Sequence, residues 1–202
     1  MPKARRTNRR DGADRLGRDR VAEAALKLAA DRDWYGVSMR DLARALGVGL
    51  ADLAGRYRDP DAVADAVFAR ARDAMLALKP PGFARLKPRR RVELAVRAWF
   101  ESLGPHRRAA AGMLKAKLHP GHAHHWGPLS FHLSRLIWWL REAALLDAEG
   151  PRRQAEEIAL SAIFLAVLAA WALGGGGAEK RAFDLLARLL DGVERPLGWN
   201  AR

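Results

Sequence analysis

GVSMRDLARALGVGLADLAGRYRDP, residues 36–60, decides how the rest of the chain is read. Ser38 is a natural N-cap, and Met39, Leu42, Ala43 and Leu46 follow at helical spacing. Gly47 ends that helix cheaply, because glycine takes positive φ without a steric penalty. Gly47-Val48-Gly49 then leads into a short second helix over Leu50–Arg56, and small Ala43 sits where the two helices would cross. This spacing satisfies a helix-turn-helix, in which the second helix enters a DNA major groove while the first braces the backbone.

Working outward, Val21, Ala24, Ala25, Leu28 and Ala29 form one apolar stripe, which predicts a helix over about Arg18–Asp31. Asp59-Pro60 supplies an N-cap and first-turn pair for a helix continuing to Leu78. Lys79-Pro80-Pro81-Gly82 breaks it and is the best domain boundary that the chain's composition offers. Further helices are predicted from Pro88 to Leu103, then to about Leu118, over 128–148, over 151–173 and over 179–193. His119–Gly127 reads as a loop and the four glycines at 174–177 as a flexible joint. The expectation is an all-α chain of about nine helices, with a disordered basic arm (1–15), a helix-turn-helix head (16–62), a helical body (63–195) and a tail (196–202).

Composition supports that reading. The 202 residues are 50% hydrophobic and carry a formal net charge of +13, a balance that suits polyanionic partners. High-GC coding raises arginine content without function, so the charge alone is weak support. Five cations fall between Lys3 and Arg10 with no acid among them, enough to track a DNA backbone or enter a minor groove, or to serve as a solubilising tail. There is no cysteine, which excludes disulfides and thiolate chemistry. No apolar signal segment opens the chain, and the run Ile158–Leu173 is shorter than the roughly 20 residues of a bilayer span. A cytoplasmic protein without stable membrane insertion is expected.

From about Arg20 to Val67 the chain resembles the N-terminal domain of the TetR family of transcriptional regulators. The resemblance runs through Trp34-Tyr35-Gly36-Val37-Ser38-Met39, Leu42-Ala43, Ala45-Leu46-Gly47-Val48, Leu53, Tyr57 and Asp59. It implies an all-α fold, a homodimer, a head that binds operator double-stranded DNA and a body that binds a hydrophobic inducer. Where the family usually has a phosphate-binding tyrosine and lysine, this chain has Ala54 and Pro60. DNA contact is therefore expected from Arg5, Arg6, Ser38, Arg40, Arg44, Arg56, Tyr57 and Arg58. Asp52 adds a negative charge to that surface, and its carboxylate is also able to accept from a cytosine amine.

The second half is rich in aromatic residues at helical spacing, a pattern more often of core than of a ligand box. The helix from Pro128 is apolar on every face, so it is either buried all round or lines a cavity. The expected ligand-binding residues are Trp99, Phe100, Met113, Trp126, Phe131, Trp138, Phe164 and Trp171. RVELAVRAWFESLGPHRRAAAGML, Arg91 to Leu114, together with Leu168-Ala169-Ala170-Trp171, also looks like a TetR-fold family of ubiquinone-biosynthesis accessory proteins. That resemblance implies the alternative of an isoprenoid-binding protein that does not use DNA, although the long amphipathic C-terminal helix common in that family is missing.

No phosphate loop, nucleophile elbow or paired-carboxylate motif is present, so no enzyme and no cofactor is expected. The 174–177 glycines lack the Lys-Ser/Thr of a phosphate cradle. HPGHAHH at 119–125 has imidazoles without helical i, i+4 spacing and without nearby carboxylates. It reads as a polar loop, with metal binding the alternative.

Overall fold

The computed structural model describes residues 16–117 and 126–199, with side chains described outside 126–131. Among these residues the chain is helical: α1 Arg18–Asp31, α2 Met39–Leu46, α3 Leu50–Ala54, α4 Pro60–Ala77, α5 Pro88–Leu103, α6 Arg107–Lys117, α7 Trp126–Ala143, α8 Gly150–Leu173 and α9 Ala178–Glu194. No strand occurs among them. The all-α expectation holds.

The helices fall into two compact units, and the division is not linear in sequence. The first takes residues 16–70 together with 106–117, and the second takes 71–105 together with 126–199. The sequence places a boundary near residue 62, but α6 packs with the head. Gly112 is the reason it fits: a Cβ there would stand 3.2 Å from Asp33 Oδ1 and 3.7 Å from Trp34 Cβ, so glycine lets α6 lie against the Trp34 turn. Lys117, at the end of α6 and only 9% exposed, reaches Asp65 at 3.0 Å and donates to the Asp61 carbonyl at 3.2 Å. The centre of this unit is built from Val21, Ala25, Leu42, Leu53, Val63 and Met113, all essentially inaccessible.

Within the second unit α8 and α9 form a helical hairpin. Gly174 is needed at their turn, because a Cβ there would stand 2.5 Å from Ala178 Cβ and 2.7 Å from the Ala170 carbonyl oxygen. Gly177 follows at φ 71°, so the glycine run is a tight, defined turn. α7 stops at Ala143, short of the expected Ala148, because Leu145 takes a left-handed conformation at φ 53°. Arg91 of α5 compensates the exposed carbonyls: its Nε donates to Ala144 O at 2.8 Å and its Nη2 to Leu145 O at 3.1 Å. Trp199, expected in a loose tail, is fully buried, and its Nε1 donates to Glu156 Oε1 at 2.9 Å.

α8 spans 24 residues and by length and composition is apolar enough to cross a membrane. Its apolar character comes from two faces. Leu160, Ile163, Phe164, Val167 and Trp171 are buried within the unit, while Ile158, Leu165 and Leu173 are exposed.

Candidate nucleic-acid interface

The helix-turn-helix is assembled from local signals that agree. Ser38 closes a full capping box on α2: Asp41 N donates to Ser38 Oγ at 3.2 Å, and Ser38 N donates to Asp41 Oδ2 at 3.2 Å. The Ser38 hydroxyl also donates to Asp41 Oδ2 at 2.7 Å. These hydrogen bonds, the hydroxyl's first, hold the Asp41 carboxyl below the ordinary aspartate range. Gly47 ends α2 at φ 64°, and Val48 N donates back to Ala43 O at 3.0 Å. Ala43 and Leu53 are buried, which fixes α3 across α2. Asp59 caps α4 through a 2.7 Å bond from Ala62 N to its Oδ1.

Removing the Ser38 hydroxyl has a directional consequence. Ser38→Ala should destabilise the head by about 1 kcal/mol, the usual worth of a serine cap, read from urea unfolding at neutral pH. A depressed folded-state pKa stabilises above the ordinary aspartate range, and that stability is lost as pH falls through the folded value. The wild type should therefore resist acid to lower pH than the variant, and identical acid limbs would refute the linkage.

The expected contact residues separate into three groups. Arg40 and Arg56 are exposed, and among the described residues they take part in no ion pair or side-chain hydrogen bond. Arg44 and Arg58 are exposed but engaged, Arg44 with Asp41 at 3.2 Å and Arg58 with Asp59 at 2.7 Å. Both pairs sit in water, where an ion pair is worth little, so a phosphate can replace the carboxylate at small cost. Ser38 and Tyr57 are committed elsewhere. The serine is spent on the cap, and the Tyr57 ring is buried with its hydroxyl donating to Leu16 O at 3.5 Å. Arg5 and Arg6 lie outside the described residues.

α3 ends at Ala54, earlier than expected, and Gly55-Arg56 form a turn closed by Arg56 N and Tyr57 N on Leu53 O. The turn carries Arg56 outward and Tyr57 inward. Arg18 and Arg20, exposed at the start of α1, were not among the expected contacts.

The aromatic residues expected to bind ligand form a filled core. Trp99, Phe100, Phe164 and Trp171 are all nearly inaccessible. The Trp99 and Phe164 rings meet edge-on at 5.1 Å, and Phe100 stacks on Phe164 at 5.4 Å. Met113 is not among them, because α6 belongs to the first unit. Trp138 is 41% exposed and packs edge-on against Trp139 at 4.5 Å. Trp126, Phe131 and the His119–His125 loop fall outside the described side chains. A polar cleft of about 300 Å³ in the second unit, lined by Arg85, Lys87, Arg91 and Asp147 among others, contains none of the expected ligand residues.

A capped helix-turn-helix stands in one unit of this all-α chain, and a second helical unit carries the rest. The chain is similar over most of its length to solved structures of this kind. A TetR transcriptional regulator from Nitrosomonas europaea ATCC 19718 shares 29% identity, with 87% of this chain and 96% of that chain covered and a TM-score of 0.74. A TetR transcriptional regulator from Rhodococcus sp. RHA1 shares 18% identity over 93% and 98% of the two chains, with a TM-score of 0.61. No protein-family model matches the chain, and no curated protein matches it. The helix-turn-helix residues and these neighbours together support a TetR-like fold for this chain.

Proposed function

We propose that this protein is a transcriptional repressor that binds operator DNA as a homodimer and is released by a hydrophobic small molecule. The observation that carries the DNA reading is the pair of exposed, unengaged arginines, Arg40 and Arg56, on a helix-turn-helix held by a complete capping box. Ala54 and Pro60 leave two customary phosphate positions without a donor, so these arginines, the exchangeable Arg44 and Arg58 and the arm carry the electrostatic contact.

The homodimer reading is supported by α8. Ala155, Ile158, Ala162, Leu165, Ala169 and Leu173 are exposed at spacings of three and four, an apolar seam with small residues that admit a close neighbour. Half-buried Leu185, Leu189 and Val193 extend it on α9. Two copies would close these faces as a four-helix bundle. An inducer would enter the second unit among Trp99, Phe100, Phe164 and Trp171, separating rings that now touch, and would shift the population toward a form unable to hold the operator.

Gel-shift titration against the DNA flanking the coding region, repeated across salt concentrations, tests the reading. The affinity should exceed that for random duplex and fall steeply with salt. Arg40→Ala and Arg56→Ala should each lower the magnitude of the log K against log salt slope by about 0.9 for each phosphate left unneutralised. Binding no tighter than to random duplex would refute the proposal.

A further inference from the structure

The outward face of α3 has a chemistry unlike its flanks. Leu50 is 47% exposed, and Ala51, Ala54 and Gly55 are exposed with it, while Leu53 turns fully inward. The polar side chain on the helix is Asp52, which among the described residues has no hydrogen bond or ion pair. Its Oδ2 would lie 2.9 Å from a Cβ on Gly49, so glycine there leaves room for the carboxylate over the start of the helix. α3 therefore offers one acceptor and an apolar surface, and no side-chain N–H or O–H donor.

That inventory discriminates among bases. In the major groove, guanine is read by donors from Arg or Lys, and adenine by the amide of Asn or Gln. α3 has none of these. An apolar side chain matches the C5-methyl of thymine, and a carboxylate matches the N4 amine of cytosine. Both marks belong to pyrimidines.

Resting on the reading of the head as a DNA binder, we propose that α3 reads pyrimidine edges, with Leu50 against a thymine methyl and Asp52 accepting from a cytosine amine. The cations at Arg40 and Arg56 supply the complementary charge for the phosphates on either side. Asp52 is repelled by phosphate and finds its favourable partner at the base edge. Leu50, one of the exposed large apolar side chains of the head, gains from leaving water only when the groove floor is apolar at that point.

The test uses the full-length protein to enrich binding sites from a random duplex library. The enriched site is then synthesised with each thymine in turn replaced by deoxyuridine, which lacks the C5-methyl. At one or more thymines the affinity should fall about fourfold, the worth of one buried methyl-sized group. Leu50→Ala, whose melting curve should fall only slightly because the side chain is about half exposed, should bind the parent site more weakly and become indifferent to that replacement. Asp52→Asn should relax discrimination at a cytosine in the same site. The assignment is overturned if every thymine is replaceable without loss, or if the deoxyuridine effect persists in Leu50→Ala. Absence of any enriched sequence would defeat the DNA-binding reading itself; enrichment without sensitivity to deoxyuridine would defeat the Leu50 assignment alone.

Discussion

Glu156→Ala should destabilise the second unit by about 3–5 kcal/mol, the cost of breaking a buried ion pair from one side. Glu156 is 2% exposed in its side chain and Arg141 is 5% exposed, with Arg141 Nη2 on Glu156 Oε2 at 3.1 Å. The same Nη2 donates to Ala148 O at 3.0 Å, and Trp199 Nε1 occupies the other carboxylate oxygen. Arg141 Nε is buried without a hydrogen bond, so the guanidinium has little spare solvation before Glu156 is removed. The alanine variant strands a cation and an indole N–H together. Glu157, 3.4 Å from Arg141 Nη1 and partly exposed, softens the loss without replacing the buried bond. Urea unfolding reads the change. A second variant separates charge from packing: Arg141→Met combined with Glu156→Leu removes both ions and should recover most of the stability, since a buried pair is commonly replaceable by apolar residues of similar volume. A single variant that melts with the wild type would show that the cluster is solvated.

What the sequence revealed and what it hid follow from the range of the interactions. Ser38, Gly47 and Asp59 act on neighbours within about four residues, so their spacing alone announced the caps and the turn. The alternation that turns Arg56 out and Tyr57 in depends on α3 ending at Ala54, before its helical pattern runs out. Next to two arginines, a tyrosine reads as a phosphate ligand; its burial is decided by contact with Leu16, 41 residues away in sequence. The same holds for Trp199, whose partner is 43 residues earlier. Grouping α6 with the head needed Gly112 against Trp34 and Lys117 against Asp65, contacts that leave no periodic trace. Helical spacing marks the aromatic residues as apolar, but periodicity does not distinguish a filled core from a cavity wall. Only the ring-to-ring distances do that.

Ile158→Glu combined with Leu165→Glu should convert the proposed dimer to monomer and weaken operator binding by about 10²–10⁴-fold, the gain normally drawn from two linked heads. Both positions lie on the α8 seam and are exposed in the isolated chain, Ile158 at 72% and Leu165 at 48%. In a monomer the carboxylates face water, so unfolding free energy per chain should change by no more than about 0.5 kcal/mol. In a closed seam each carboxylate meets its symmetry mate's apolar surface and loses hydration, a cost of several kcal/mol per ion that the bundle cannot absorb. Sedimentation velocity reads the mass, and gel-shift titration of the same samples reads the affinity. The residual monomer should still bind with a salt dependence, because Arg40 and Arg56 are untouched, at about half the wild-type slope, since one head neutralises half the phosphates. This pattern separates a pairing face from a lipid-facing one: a face that served a bilayer would lose vesicle binding on mutation and leave the solution mass unchanged. A double variant that keeps the dimer mass would place the seam elsewhere and remove α8 from the assembly.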